Sequence, residues 1–278
     1  MTSARMSTLA TLRGRIERIE TPEGAGHDAG APNRVALGHP EADAFLRGGL
    51  AVAAIHEVFS EGRQGAAATG FIAGLAGRVS ARRPLVWVRQ DFCDLEVGSL
   101  SMHGLIELGL DPRCLVTVRA SDVESALRTA ADALACDALG AVVLEVWGQA
   151  KQLDLVASRK LTLAAQASGV TGLLLRIAAE PLPSTAETRW IVRAAHSPPE
   201  APSGAPLPAA AWVPAAAWGS PCFDVELIRN RHGPTGRWIM EWKCDECLFS
   251  EATDPQPLAA TPAHRPHQAF ARERRRAG

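Results

Sequence analysis

The stretch EVFSEGRQGAAATGF, residues 57–71, is where chemistry would be looked for first. An apolar strand, a glycine-bearing turn and an alanine-rich helix form the setting in which backbone N–H groups cradle a phosphate. The working pattern G-x-x-x-x-G-K-[ST] adds a lysine for the β and γ oxygens and a hydroxyl for Mg²⁺. The candidate loop is Gly62, Arg63, Gln64, Gly65, Ala66 and Ala67. With Gly65 as the last glycine, Ala66 stands in the lysine position and Ala67 in the hydroxyl position. In the other register Gly65 and Gly70 are the two glycines, and Phe71 and Ile72 take those places. Neither register supplies the cation or the hydroxyl. A lost hydrogen bond to a charged phosphate costs about 1.5–3 kcal/mol, roughly one to two decades of affinity. Arg63 could turn inward, and a helix N-terminus favours an anion, so an unorthodox phosphate site is the alternative. The expectation is a strand–turn–helix kept for the fold, with no cofactor, no ATP bound and no ATP hydrolysed.

Other reactive residue types are sparse. Glu145 closes the apolar run AVVLE, where a metal-holding carboxylate would sit, but without a loop hydroxyl it lacks a second anchor and is expected to pair locally. Cys244 and Cys247 make one C-x-x-C, half of a zinc site. Cys222, His232, His264 and His267 could complete it only by a coincidence of folding, so no metal is expected. Neither G-x-S-x-G nor H-E-x-x-H occurs. The last segment, HRPHQAFARERRRAG, sets Phe270 among Arg272, Arg274, Arg275 and Arg276. Such a tail suits phosphates or an acidic partner groove, with Phe270 as an anchor.

The elements that must position these residues alternate. AIHEVF (54–59), PLVWVR (84–89), CLVTVR (114–119), GAVVLEVW (140–147) and GLLLRI (172–177) read as strands. Helices are expected over 65–81, 101–110, from a Ser121/Glu124 capping box onward, and over 151–168. Unbroken apolar strands between helices imply a mostly parallel central sheet flanked by helices on both faces. WIVRAA, CFDVELIRN and GRWIMEW then read as neighbouring strands without helices, an antiparallel hairpin at the C-terminal side. The expected organisation is an N-terminal helix (4–20) and Gly/Pro linker over 1–33, a core over 34–250 with a Pro/Ala-rich loop at 197–217, and a basic tail over 251–278. The first helix carries an apolar stripe that includes Leu12 and Ile16.

A formal net charge of −1 excludes a uniformly basic nucleic-acid binder, and 47% hydrophobic against 21% charged residues is a globular balance. No apolar run is long enough to span a membrane. Six scattered cysteines and a charged N-terminus point to the cytoplasm.

Three segments, taken in order, resemble the RecA superfamily. LGHPEADAFLRGGLAVAAIHEV (37–58) is similar to its entry segment. GLIELGLDPRCLVTVRASDVESALRTAADAL (104–134) resembles its Gly-x-Asp-Pro turn and the helix that follows. RNRHGPTGRW (229–238) resembles the [KR]-x-R-x-G-P-T-G hairpin of RadA and replicative helicases. The resemblance covers about residues 35–245. Small size, the missing lysine and the C-terminal aromatics place it nearest the ImuA family, sometimes labelled SulA-like. The resemblance implies a non-catalytic adaptor in SOS mutagenesis and translesion synthesis. Its implied partners are an ImuB-like Y-family polymerase homologue, RecA, a DnaE-type polymerase or a second copy. The alternatives are an active RecA/RadA-like ATPase and a SulA-like cell-division regulator. The resemblance also makes Asp91 the vestige of a catalytic glutamate, and Arg229 and Arg231 interface or trans-acting residues. The DNA loops would be a short one after Glu145 and 178–190, acidic with Arg189 as its only base, so DNA contact is expected to be weak or indirect.

Overall fold

A computed structural model describes residues 33–197 and 219–253, which from Arg34 on belong to one compact unit. The expected first helix with Leu12 and Ile16, the Pro/Ala-rich stretch from residue 198 and the tail with Phe270 lie outside the described residues.

The organising element is strand β3 (Ile55–Ser60), in which all six residues are buried. A strand with no exposed side chain must be central and covered on both faces, and it is. β3 lies between β7 (Thr171–Ile177) and β8 (Thr188–Ala194), parallel to both. With β4 (Leu85–Gln90), β5 (Leu115–Ala120), β6 (Ala141–Trp147), β9 (Cys222–Asn230), β10 (Gly236–Lys243) and β11 (Leu248–Glu251) they make one nine-stranded sheet. Its order is β11-β10-β9-β8-β3-β7-β6-β4-β5. The six strands from β8 to β5 are parallel, and β9, β10 and β11 continue it antiparallel. A small hairpin, β1 (Arg34–Val35) with β2 (Leu50–Ala51), brackets helix α1 (Pro40–Phe45).

One face is covered by α2 (Gly65–Ser80), eleven of whose sixteen residues are buried, as befits a helix packed nearly all round. Its small residues admit rings. A Cβ on Gly74 would lie 2.8 Å from Phe249 Cζ, and one on Gly70 would lie 3.2 Å from the Phe223 ring. The core on this side is aromatic, with Phe71, Trp87, Trp190, Trp242 and Phe249 fully buried. The opposite face carries α5 (Val123–Leu134) and α6 (Leu155–Ser168) over an aliphatic core of Val86, Val88, Leu144, Leu161 and Leu174.

Several expected boundaries move. The box that opens α5 is Asp122 with Ser125, one residue beyond Ser121 and Glu124, because Asp122 adopts the extended conformation and accepts from Ser125 N. Helix α6 begins at Leu155 rather than 151, capped by Asp154 on Ala157 N. The helix expected over 101–110 is α4 (Met102–Glu107), and Asp111 caps the short 3₁₀ turn Pro112–Cys114 that follows. A further helix, α3 (Asp91–Val97), starts where the β4 reading ended. The hairpin residues Cys244 and Cys247 pack on the core. Gly109, at φ +86°, lets them approach, since a Cβ there would meet Cys247 Sγ at 2.8 Å. No described helix is long and apolar enough to cross a membrane.

Candidate functional site

Residues 61–67 sit at the C-terminal ends of the parallel strands, the place where ligands bind in open α/β sheets. From Ser60 the chain makes a single 3₁₀ turn, Gly62–Gln64, and passes straight into α2 at Gly65. Gln64 N donates back to Glu61 O at 2.9 Å, and the Gln64 side-chain oxygen accepts from Ala194 N on β8 at 2.9 Å. The turn is tied into the sheet. A Cβ on Gly62 would lie 3.0 Å from the Trp147 ring, and one on Gly65 would lie 3.1 Å from Val97 Cγ1 and 3.5 Å from Ile177 Cδ1. Both glycines face hydrocarbon. Arg63 and Ala66 are exposed and Ala67 is half-buried.

The acidic positions are engaged. Glu145 is fully buried; Oε2 accepts from Trp87 Nε1 at 2.9 Å, and Oε1 lies 2.9 Å from Arg89 Nε, an ion pair whose angle falls short of a hydrogen bond. Arg89 also contacts Asp94. Arg119 joins Asp94 at 3.3 Å and Asp91 at 2.8 Å. Burial pushes the Glu145 carboxyl above the usual carboxylate range, opposed by the Arg89 guanidinium. Burial likewise pushes the adjacent Cys93 thiol up to about 12. Three carboxylates and two guanidinia thus link β4, α3, β5 and β6. Glu145 holds this network together and turns neither oxygen to solvent.

No protein-family model matches the chain. It is 31% identical over 223 residues, 74% of its length, to Protein ImuA of Caulobacter vibrioides, from strain NA1000 / CB15N and from strain ATCC 19089 / CB 15, and the match spans 82% of each relative. The chain belongs to the ImuA family.

In this ImuA-family chain the arginines expected at the hairpin part company. Arg231 is exposed in the β9–β10 turn, whereas Arg229 turns inward and donates to Ser184 O at 2.9 Å. The second expected DNA loop is shorter than foreseen, 178–187, because β8 begins at Thr188. Arg189 is consequently no loop base. It is buried in β8 with Nε 2.8 Å from Glu57 Oε2, and its Nη2 donates to Ser184 Oγ and Leu182 O. Glu187 pairs with His232 at 3.2 Å and lies 3.8 Å from Arg34. His232 is therefore not directed at the C-x-x-C pair, and Cys247 Sγ contacts Cys244 O at 3.3 Å.

The residues missed by the sequence reading are Glu57, Arg176, Arg189 as a core residue, and Trp147. The first three had a visible signal: charges inside otherwise apolar strands (HEVF, LLLRI, TRWIV), since a buried polar residue is more informative than an exposed apolar one.

Proposed function

We propose that the chain is a non-catalytic adaptor of RecA-like architecture that works in DNA-damage-induced mutagenesis and translesion synthesis through protein partners. An ImuB-like Y-family polymerase homologue is the first of them. The observation that carries the reading is the loop at 62–67. Its lysine and hydroxyl positions are Ala66 and Ala67, and its two glycines face Trp147, Val97 and Ile177. Phosphate binding needs convergent N–H groups, a cation and a metal ligand, and hydrocarbon at the turn offers none of them. Membership of the ImuA family supplies the pathway. The basic, Phe270-bearing tail and the Leu12/Ile16 stripe are the segments that would meet the partner.

The test is co-purification from damaged and undamaged cells with an ImuB-like partner and with RecA. It compares the full chain with a version lacking 264–278 and with Leu12→Asp/Ile16→Asp. Each change should weaken partner recovery while leaving the melting curve nearly unchanged. Full recovery by both variants would move the interface to the sheet domain. Calorimetry showing micromolar Mg²⁺–ATP binding that Arg63→Ala abolishes would replace the adaptor with an active ATPase.

A further inference from the structure

A second cluster of charge lies on the other face of the sheet from the candidate loop, under α6 and the 178–187 loop. The parallel register sets Phe59 beside Arg176 and Glu57 beside Arg189, and the antiparallel register sets Arg189 beside Arg229. These positions alternate in phase, so one face of β7, β3, β8 and β9 carries a row of three arginines. Two of them flank an aromatic ring: the guanidinium carbons of Arg176 and Arg189 each lie 5.7 Å from the centre of Phe59.

The charges do not balance. Glu57 gives one oxygen to Arg189 Nε at 2.8 Å and accepts from Ser184 Oγ at 2.9 Å, so its carboxylate answers Arg189. The nearby Glu187 is shared between Arg34 and His232. Arg176 has no carboxylate partner among the described residues. It is 3% exposed, its Nη2 reaches the Gly148 carbonyl at 3.5 Å, and its Nε finds no acceptor there. Burial pulls the Arg176 and Arg229 guanidinia below their ordinary value; the neighbouring Arg189 charge adds to the effect and the Glu57 carboxylate opposes it. A guanidinium offers five N–H donors in a planar fork. Burying one against a ring with a single long hydrogen bond is unfavourable unless an anion completes it. The flat π face of Phe59 orients the guanidinium without consuming its donors.

We propose that Arg176, with Arg189 and Arg229 beside it, forms a binding site for a phosphate-type oxyanion, either inorganic phosphate or a phosphomonoester. The reason for phosphate over carboxylate is charge. Three arginines against Glu57 leave a surplus of two positive charges, which a dianion neutralises and a monoanion does not. Arg–phosphate pairing through the fork adds geometric selectivity. The site owes nothing to residues 62–67, which feed the opposite face. A phosphate held here would sit beside Arg189 and Arg229, which already tie the 178–187 loop to the sheet through Ser184 and Leu182.

The experiment uses the full-length protein in chloride, acetate and phosphate buffers at equal ionic strength and pH, read by thermal melting and by ³¹P line width during a titration with inorganic phosphate. Phosphate should raise the melting temperature above both other anions and broaden the ³¹P signal. Phenyl phosphate in a further arm should compete if the site accepts monoesters. Arg176→Met should lose the phosphate-specific gain, while in chloride it should melt at or above the wild-type temperature, because a poorly compensated cation has been removed. Arg176→Lys keeps the charge without the fork and should bind phosphate about tenfold or more weakly. The proposal is overturned if wild type melts alike in phosphate and chloride, if acetate serves as well as phosphate, or if Arg176→Met or Arg176→Lys keeps the full response. The wild-type comparison stands even if a variant does not fold.

Discussion

Replacing Glu145 separates a structural carboxylate from a metal-holding one. Glu145→Ala removes the acceptor of Trp87 Nε1 and one of the two carboxylates on Arg89, both in fully or nearly fully buried positions. An orphaned buried donor costs about 1–3 kcal/mol. Breaking a buried ion pair by removing one partner costs about 3–5 kcal/mol, at its lower end here because Arg89 keeps Asp94. Allowing for coupling between the two losses, the change should destabilise by about 3–5 kcal/mol. At roughly 2–4 °C per kcal/mol for a unit of this size, the melting temperature should fall by about 6–20 °C. Glu145→Gln should cost less, since its amide oxygen still accepts from Trp87, but its NH₂ group then opposes Arg89 Nε. The assay is thermal and urea unfolding of both variants beside wild type, with Mg²⁺–ATP turnover measured in parallel. A Glu145→Gln protein as stable as wild type, paired with a wild-type ATPase that the substitution abolishes, would refute the reasoning and make Glu145 a catalytic carboxylate.

Restoring the phosphate-loop residues alone should fail: Ala66→Lys/Ala67→Ser is expected to bind no Mg²⁺–ATP by calorimetry, because Trp147, Val97 and Ile177 still face Gly62 and Gly65. Micromolar binding by that double variant would show that the missing groups alone were at fault. Buried His56 accepts at Nδ1 from Thr188 Oγ1 and donates from Nε2 to Ala51 O, each at 2.8 Å, and burial pulls it from 6.5 down to about 4. The unfolded chain thus binds the proton first, so this group's stabilisation is complete above about 6.5 and is lost as pH falls towards 4. The loss is about 3 kcal/mol at 1.36 kcal/mol per pH unit; urea unfolding from pH 7.5 to 4.5 should show it, and His56→Gln should flatten that part of the slope. Single-stranded DNA binding should be weak and salt-sensitive, and a chain ending at residue 253 should lose it. Equal affinity in the truncated chain at physiological salt would place the DNA contact in the core.

The covered parallel sheet was legible because burial on both faces leaves a local mark: IHEVFS, AVVLEVW and TGLLLRI show apolar runs that need no partner to be recognised. Caps and short helices were less legible. Asp122 and Ser121 are both good N-caps, and only the extended backbone at Asp122 selects between them. What could not be read locally is register. Arg176 and Phe59 stand 117 positions apart, and Glu57 and Arg189 stand 132 apart. Their contact follows from which strands flank β3 and where each begins. A one-residue slip would send every one of those charges to the aromatic face. The same holds for the loop at 62–67. Its missing lysine is visible in six consecutive letters, but Trp147 comes from β6, Val97 from α3 and Ile177 from β7, three elements brought together only by the crossovers. The consequence reaches beyond prediction. Two alanines could be reversed by two substitutions, whereas hydrocarbon supplied by three separate elements is part of how the sheet ends are packed. Recovering a phosphate cradle would require repacking β6, β7 and α3 together, each at a cost in stability. Under the proposed adaptor reading, the loop would then be a part of the scaffold rather than an active site lacking two residues.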